Sequence, residues 1–209
     1  MKRPRVLLAD DHTLFLDVFA KLLASHCDIV GTVKDGQALL RSARRLQPDV
    51  IVVDICMPLL NGLEAGPRLR EMLPRTKLIY LTAYEEPELA AQAMRAGAAG
   101  FLLKSCAASE LLKAIREAVE GRVYVTPRLA GNMEQRPAEI AGSLPELSSR
   151  QREILRLLAK GRSTKEIGEM LGVTAHTVAW HRRHLMGLFG VRTTAELVQS
   201  AVRHRLVEP

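Results

Sequence analysis

The chain has 209 residues, 47% hydrophobic and 25% charged, with Lys+Arg 30 against Asp+Glu 23 and a formal net charge of +7. At ~150 residues per domain this is one large domain or two modest ones, and the composition excludes wholesale disorder. No apolar run approaches the ~18 residues of a membrane helix, so no membrane insertion is expected. The apolar stretch 6–9 after the basic Met1-Lys2-Arg3 stops at Asp10-Asp11, unlike a signal peptide. Cys27, Cys56 and Cys106 are odd in number and lack metal spacing, which reads as reduced thiols in a cytoplasmic protein.

The first 126 residues alternate in type. Apolar runs at 6–9, 50–53, 78–81 and 100–103, with a weaker one at 28–32, predict five strands. Between and after them, helical apolar spacing predicts helices over 13–25, 37–46, 63–73, 86–96 and 108–120. Five strand-plus-helix units predict an α/β domain, a doubly wound parallel (βα)5 sheet covered on both faces. Residues 127–146, with Pro127, Pro137, Pro145, Gly131 and Gly142, predict a linker.

Residues 147–209 change to four short helices, near 149–160, 164–171, 175–188 and 194–206. Ser148 with Gln151, Ser163 with Glu166 and Thr193 with Glu196 fit capping boxes, and Thr174 caps a further helix with Val173 and Val178 as its staple. Gly172 suits the left-handed turn between the second and third helices, giving helix, tight turn, helix. The charge divides accordingly. Residues 1–126 carry 17 Lys/Arg and 15 Asp/Glu, 127–146 carry 2 and 3, and 147–209 carry 11 and 5, or +2, −1 and +6. A surplus concentrated in the helical segment fits double-stranded DNA as partner, though a solvated basic face reads the same on charge alone.

In a doubly wound sheet, ligands bind outside the carboxyl ends of the strands. Those ends deliver Asp10 and Asp11, Asp54, Thr82 and Lys104 to one rim. Each has a plain alternative: a helix cap for the Asp pair, a strand end for Asp54, β-propensity for Thr82, solvation for Lys104. Three carboxylates and one lysine need a counter-ion, and Mg2+ with hard oxygen ligands supplies it. A carboxylate nucleophile forming an aspartyl phosphate is the chemistry such a site supports.

The motifs Asp10-Asp11, Asp54-Ile55-Cys56-Met57-Pro58 with Asn61-Gly62, Thr82-Ala83 and 97–104 ending in Phe101-Leu102-Leu103-Lys104 resemble the flavodoxin-like receiver domain of bacterial two-component response regulators, over nearly all of residues 4–122. The resemblance implies phosphorylation of Asp54 by a sensor histidine kinase. It implies Mg2+ on Asp11, Asp54 and the Cys56 carbonyl, with Asp10 direct or through water, and Lys104 on the phosphoryl group. It further implies Thr82 and Phe101 as a switch in which Phe101 turns inward; a plain core aromatic is the alternative. Gly66-Pro67 departs from the pattern and puts the start of that helix in question.

The segments 147–155, 159–167, Thr177-Val178 and Gly190-Val191 resemble the LuxR-type helix-turn-helix, so the whole chain is similar to a NarL/FixJ-family response regulator. That likeness implies a homodimer on phosphorylation, reading two DNA half-sites. The family's lysine after Thr-Val is Ala179 here, and the later one is Leu188. Trp180, Arg182 and Arg183 are taken to replace it in base contacts, beside His176, with Lys165, Thr174 and Thr177 on phosphates. Trp180 is expected on the outer face, with burial against a neighbouring helix as the alternative. His181 is expected in the core, since His176, His181 and His184 lack the companions of a zinc site. Two rival functions are a phosphate-independent DNA-binding regulator with a vestigial pocket, and a Mg2+-dependent phosphatase, for which no general acid follows Asp54.

Overall fold

A computed structural model describes residues 3–83, 87–105, 108–129, 147–204 and 206–207, without the side chains of Pro87, Glu88, Ser149 and His176. Most of the expected linker, at 130–146, lies outside the described residues, as do Glu86 and Cys106. The chain divides into two compact units, residues 1–137 and 138–209.

The first unit runs β1 (Arg5–Ala9), α1 (Thr13–Leu23), β2 (Asp28–Val33), α2 (Gly36–Leu46), β3 (Val50–Asp54), α3 (Gly62–Met72), β4 (Lys77–Thr82), α4 (Pro87–Arg95), β5 (Gly100–Leu103), α5 (Ala108–Val119) and β6 (Tyr124–Val125). All strands are parallel in the order β2-β1-β3-β4-β5-β6. Successive strand residues face opposite sides. Val6, Leu8, Val50, Val52, Ile79, Leu81 and Leu102 pack with Leu16, Phe19 and Leu23 of α1 and Leu111, Ala114, Ile115 and Ala118 of α5. Leu7, Ile51, Val53, Tyr80 and Phe101 alternate with them and are also buried, facing the side that α2, α3 and α4 cover. Burial on both faces explains why the strands read as unbroken apolar runs.

Two departures from the sequence expectation concern elements. The sixth strand, β6, pairs with β5 through Gly100↔Tyr124 and Phe101↔Val125. The chain then makes a helical turn at 127–129, with Leu129 fully buried, so the expected linker begins as packed structure. The other is α3, which starts cleanly at the Asn61 cap, Asn61 Oδ1 accepting from Glu64 N at 2.8 Å. The helix runs through Pro67, and the Gly66-Pro67 question is settled in favour of an interior proline.

The second unit comprises α6 (Ser149–Ala159), α7 (Thr164–Leu171), α8 (Ala175–Leu188) and α9 (Thr194–Arg203) around Ile154, Leu155, Ile167, Val178, Leu185, Leu197 and Ala201. Complete capping boxes start α6 and α7. At α9 Thr193 caps Glu196 N, but the Glu196 carboxylate accepts from Arg192 N, one residue before the cap. Gly172 closes α7 at φ 65°, the left-handed position a side chain resists.

Candidate functional site

The parallel sheet brings the carboxyl ends of β1, β3, β4 and β5 to one rim. Asp10 and Asp11 follow β1, Asp54 ends β3, Thr82 ends β4 and Lys104 follows β5. Asp10, Asp54 and Thr82 are all buried. The Lys104 Nζ lies 2.7 Å from Asp10 Oδ2 and 3.0 Å from Asp54 Oδ2, and sits over the Phe15 ring, 5.3 Å from its centroid. Backbone bonds set these ends against one another: Ile55 N donates to Leu81 O at 3.0 Å and Lys104 N to Thr82 O at 2.6 Å.

Electrostatics define what the pocket accepts. Burial pushes the Asp54 carboxyl up to about 6, with the Lys104 ammonium opposing and the Asp10 carboxylate adding to the rise. Burial disfavours the Lys104 charge, but Asp54 and Asp10 together outweigh it and hold the ammonium above its usual value. Asp10 Oδ2, Asp11 Oδ1 and Asp54 Oδ2 are shut off from water without hydrogen bonds of good geometry, the first and last facing the Lys104 ammonium and Asp11 Oδ1 the His12 ring. One ammonium does not balance three carboxylates. Buried oxygen donors short of positive charge fit a hard divalent cation such as Mg2+.

Sequence reasoning missed His12. Its backbone N donates to Asp10 Oδ1 at 2.9 Å, and its Nδ1 lies 3.1 Å from Asp10 Oδ1 and 2.7 Å from Asp11 Oδ1. The signal was the triplet Asp10-Asp11-His12 itself. Around the pocket, Cys56 is buried directly after Ile55, and Leu59 in the following loop is held at φ 66°.

Phe101 is fully buried. That placement is common to an inward-turned switch residue and to a plain core aromatic, since a phenyl ring carries no polar atom to oppose burial. Beside it, Thr126 N donates to Phe101 O at 3.1 Å, and the Thr126 hydroxyl donates to Glu110 Oε1 at 2.8 Å. Tyr124 lies under Lys113, its ring centroid 5.2 Å from Nζ. Glu110, Tyr124 and Thr126 thus clasp β6 to α5, a contact that no sequence motif announced.

In the second unit, α7, the Gly172 turn and α8 form the helix-turn-helix. Arg150 binds α6 to it, donating to Leu171 O at 2.9 Å and pairing with Glu153. Lys165 and Arg183 are exposed; Thr174, Ala179 and Arg182 are half-buried; the His176 side chain lies outside the described residues. Thr174 caps α8 through Thr177 N at 3.1 Å. The outward placement of Trp180 is corrected: it is 4% exposed, parallel to the His184 ring at 5.4 Å and edge-on to His181 at 4.7 Å. Thr177 is buried too. Helical spacing puts Val178, His181, Leu185 and Leu188 on one apolar face of α8; the first three are buried, Leu188 at the end of the helix is 37% exposed, and Trp180 lies within the wider buried sector. His181 is fully buried, as expected of a core residue.

Comparison with known proteins places both units in known families. Residues 6–116 match the signature described as the response regulator receiver domain, and residues 145–201 that of bacterial regulatory proteins of the luxR family. The transcriptional regulatory protein MctR of Rhizobium johnstonii is 36% identical over 205 residues, covering 97% of this chain and 95% of its own. The probable transcriptional regulatory protein NarL of Mycobacterium tuberculosis is 36% identical over 213 residues, covering 99% and 97%. Among solved structures, the response regulator ChrA of a heme-sensing two-component system superposes with a TM-score of 0.54 at 29% identity, covering 99% of this chain and all of that one. Two units of this kind in one chain define a phosphorylation-controlled transcription regulator. The chain belongs to the NarL/FixJ family of two-component response regulators. No helix among the described residues is long and apolar enough to cross a membrane.

Proposed function

We propose that Asp54 accepts a phosphoryl group from the phosphohistidine of a sensor kinase, and that this modification controls DNA binding by the helical unit. The observation that carries the reading is the convergence of half-buried Lys104 on the buried carboxylates of Asp10 and Asp54 at the carboxyl ends of three strands. An Asp54 oxygen forms the new O–P bond as the P–N bond to the donor histidine breaks. Lys104, already held against Asp54, exchanges that contact for a phosphoryl oxygen, and the Thr82 hydroxyl approaches another. Asp10, Asp11, Asp54 and the Cys56 carbonyl would hold Mg2+, which supplies charge neutralisation for the incoming phosphoryl oxygens. The reaction is self-modification and turns over no separate substrate.

The regulator comprises a receiver at 1–126, a tether at 127–146 that begins with the packed turn at 127–129, and a DNA-binding domain at 147–209. Phosphorylation favours a homodimer that reads two half-sites on double-stranded DNA, in the cytoplasm. Lys165, Arg182 and Arg183, with Thr174, His176 and Ala179, form the DNA-facing set, while Thr177 and Trp180 hold α8 in shape. Incubation with Mg2+ and a small phosphodonor is expected to add one phosphoryl group by mass spectrometry, and Asp54→Asn to abolish the addition. A phosphoryl group retained in Asp54→Asn overturns the site. DNA affinity and oligomeric state unchanged by a beryllofluoride mimic would instead support the vestigial-pocket reading.

A further inference from the structure

The small surplus of +2 over residues 1–126 is not spread evenly. In the first unit α1, α3, α4 and α5 each carry as many acids as cations, as with Lys21 against Asp17 in α1. Helix α2, Gly36–Leu46, carries Arg41, Arg44 and Arg45 and no acid at all, or +3. Lys34 stands just before its Asp35 cap. Leu39 and Ala43 turn one side of the helix into the core, while Lys34 and all three arginines are exposed.

The arginines stand where helix stability alone does not put them. Arg41 and Arg45 are four residues apart and Arg41 and Arg44 three, so like charges meet one turn apart on one face, which destabilises a helix. The helix dipole accounts for Arg44 and Arg45 in the last turn, but not for Arg41 before it. Nearby acids are engaged with backbone: Asp35 Oδ1 accepts from Ala38 N at 2.6 Å and Asp49 Oδ2 from Arg5 N at 2.8 Å. No ion pair joins Lys34, Arg41, Arg44 or Arg45 to an acid among the described residues. A solvated basic face is the plain alternative, but solvation gives no reason to gather the surplus on one helix and balance the other four.

Given the DNA-facing set proposed above for the second unit, we infer that α2 is a second DNA-contact surface, binding backbone phosphates of the same duplex. Duplex DNA offers one negative charge per ~1.7 Å of its axis, and the planar fork of arginine suits phosphate oxygens. A rise of ~1.5 Å per residue spreads Arg41 to Arg45 over ~6 Å, so several phosphates lie within reach of these long side chains. Because both units belong to one chain, a contact too weak to hold DNA by itself adds to affinity through effective concentration. Phosphate contacts carry no base preference, so α2 strengthens binding and leaves the choice of sequence to the second unit.

The test measures binding of the intact chain to a mixed-sequence DNA duplex over a range of salt. Arg41→Gln, Arg44→Gln and Arg45→Gln together are expected to make the slope of log affinity against log salt shallower by about 2–3, and to weaken binding at ~50 mM salt at least about tenfold. Lysine at the same three positions should keep the slope, since it keeps the charge. A control triple of Lys21→Gln, Arg68→Gln and Arg95→Gln removes as much charge from α1, α3 and α4 and should change the slope by less than about 1, exposed charges away from the duplex being screened. Relieving the repulsion on α2 should leave the first unit at least as stable, and acceptance of a phosphoryl group by each variant checks its folding. A slope unaltered by the α2 triple, or altered as much by the control triple, overturns the assignment; if Lys165→Gln with Arg183→Gln still makes it shallower, DNA binding by the second unit stands. If changes in neither unit alter the slope, both fall. Vesicles of phosphatidylserine and phosphatidylcholine are expected not to bind; vesicle binding lost in the α2 triple, with the DNA slope unaltered, assigns the helix to a lipid surface instead and overturns the DNA contact.

Discussion

The phosphoryl transfer proposed for Asp54 needs its carboxylate form, yet the side chain is buried where a carboxylate is unfavourable. Its folded value of about 6 lies above the ordinary 3.8, so folding favours the protonated form. The stability this contributes is fully present below pH ~3.8 and is lost as pH rises through about 6. At neutral pH the receiver therefore bears the cost of an ionised, buried carboxylate. Asp54→Asn is expected to be more stable than the wild type at pH 7.5, by on the order of 1–3 kcal/mol, and to lose that advantage below pH 4. Mg2+ should stabilise the wild type more than the variant. Urea unfolding across this pH range, read by hydrogen exchange of the β3 amides, checks both outcomes. At this scale the pocket was legible because strand ends can be read from apolar runs, and Asp10, Asp54, Thr82 and Lys104 each stand where a run stops. His12 was not legible: a residue opening a helix is read as a cap, and only the fold shows its ring turned toward Asp11.

The elements show why Gly66-Pro67 is tolerated in α3. A Cβ on Gly66 would lie 1.9 Å from the Tyr80 hydroxyl, so the missing side chain is what lets α3 pass over β4. Tyr80 is 1% exposed and its hydroxyl is pushed up to about 12 by burial, against the nearby Arg70 guanidinium. Pro67 removes one helix N–H, but five residues of helix precede it and the Asn61 cap has already fixed the start. Gly66→Ala is expected to destabilise the receiver by about 1–3 kcal/mol, as overpacking does. In a Tyr80→Phe background the nearest ring atom is 3.2 Å away, and the cost should fall by more than half. A double-mutant cycle by denaturant unfolding measures the coupling, and additive costs would show that the hydroxyl is not the obstacle. The departures from expectation are also elemental. The β6 strand is two residues long, too short for periodicity to register, and exists because β5 offers an edge and Glu110 offers Thr126 an acceptor. Trp180 was misplaced because a stripe at helical spacing fixes the centre of a buried face but not its width.

At the scale of the whole molecule, a net charge of +7 is spread over two units with separate hydrophobic cores. That division was legible, since alternating strands and helices give way to capped helices at a Pro- and Gly-containing segment. The two cores carry opposite pH liabilities, which composition could not show. In the second unit burial of His181, reinforced by the charge of Arg150 and by His184, pushes the imidazole down to about 3. Its folded value lies below the ordinary 6.5, so folding favours the neutral ring. The stability it contributes is fully present above pH ~6.5 and is lost as pH falls from there toward 3. Asp54 acts in the opposite sense, since protonation through about 6 stabilises the first unit. Between pH 7.5 and 5 the second unit should therefore become less stable while the first becomes more so. Trp180, the single tryptophan of the chain and in contact with His181, gives the second unit its own fluorescence signal. In thermal unfolding of the intact chain, the fluorescence midpoint is expected to fall across this window. The midpoint read from exchange of the β3 amides is expected to rise. Glu166, held below the usual carboxylate range by its capping bonds to Ser163, titrates beneath the window and does not confuse it. His181→Leu should flatten the fluorescence response and leave the first unit's unchanged. An equal fall in that variant would place the acid sensitivity outside the α8 core.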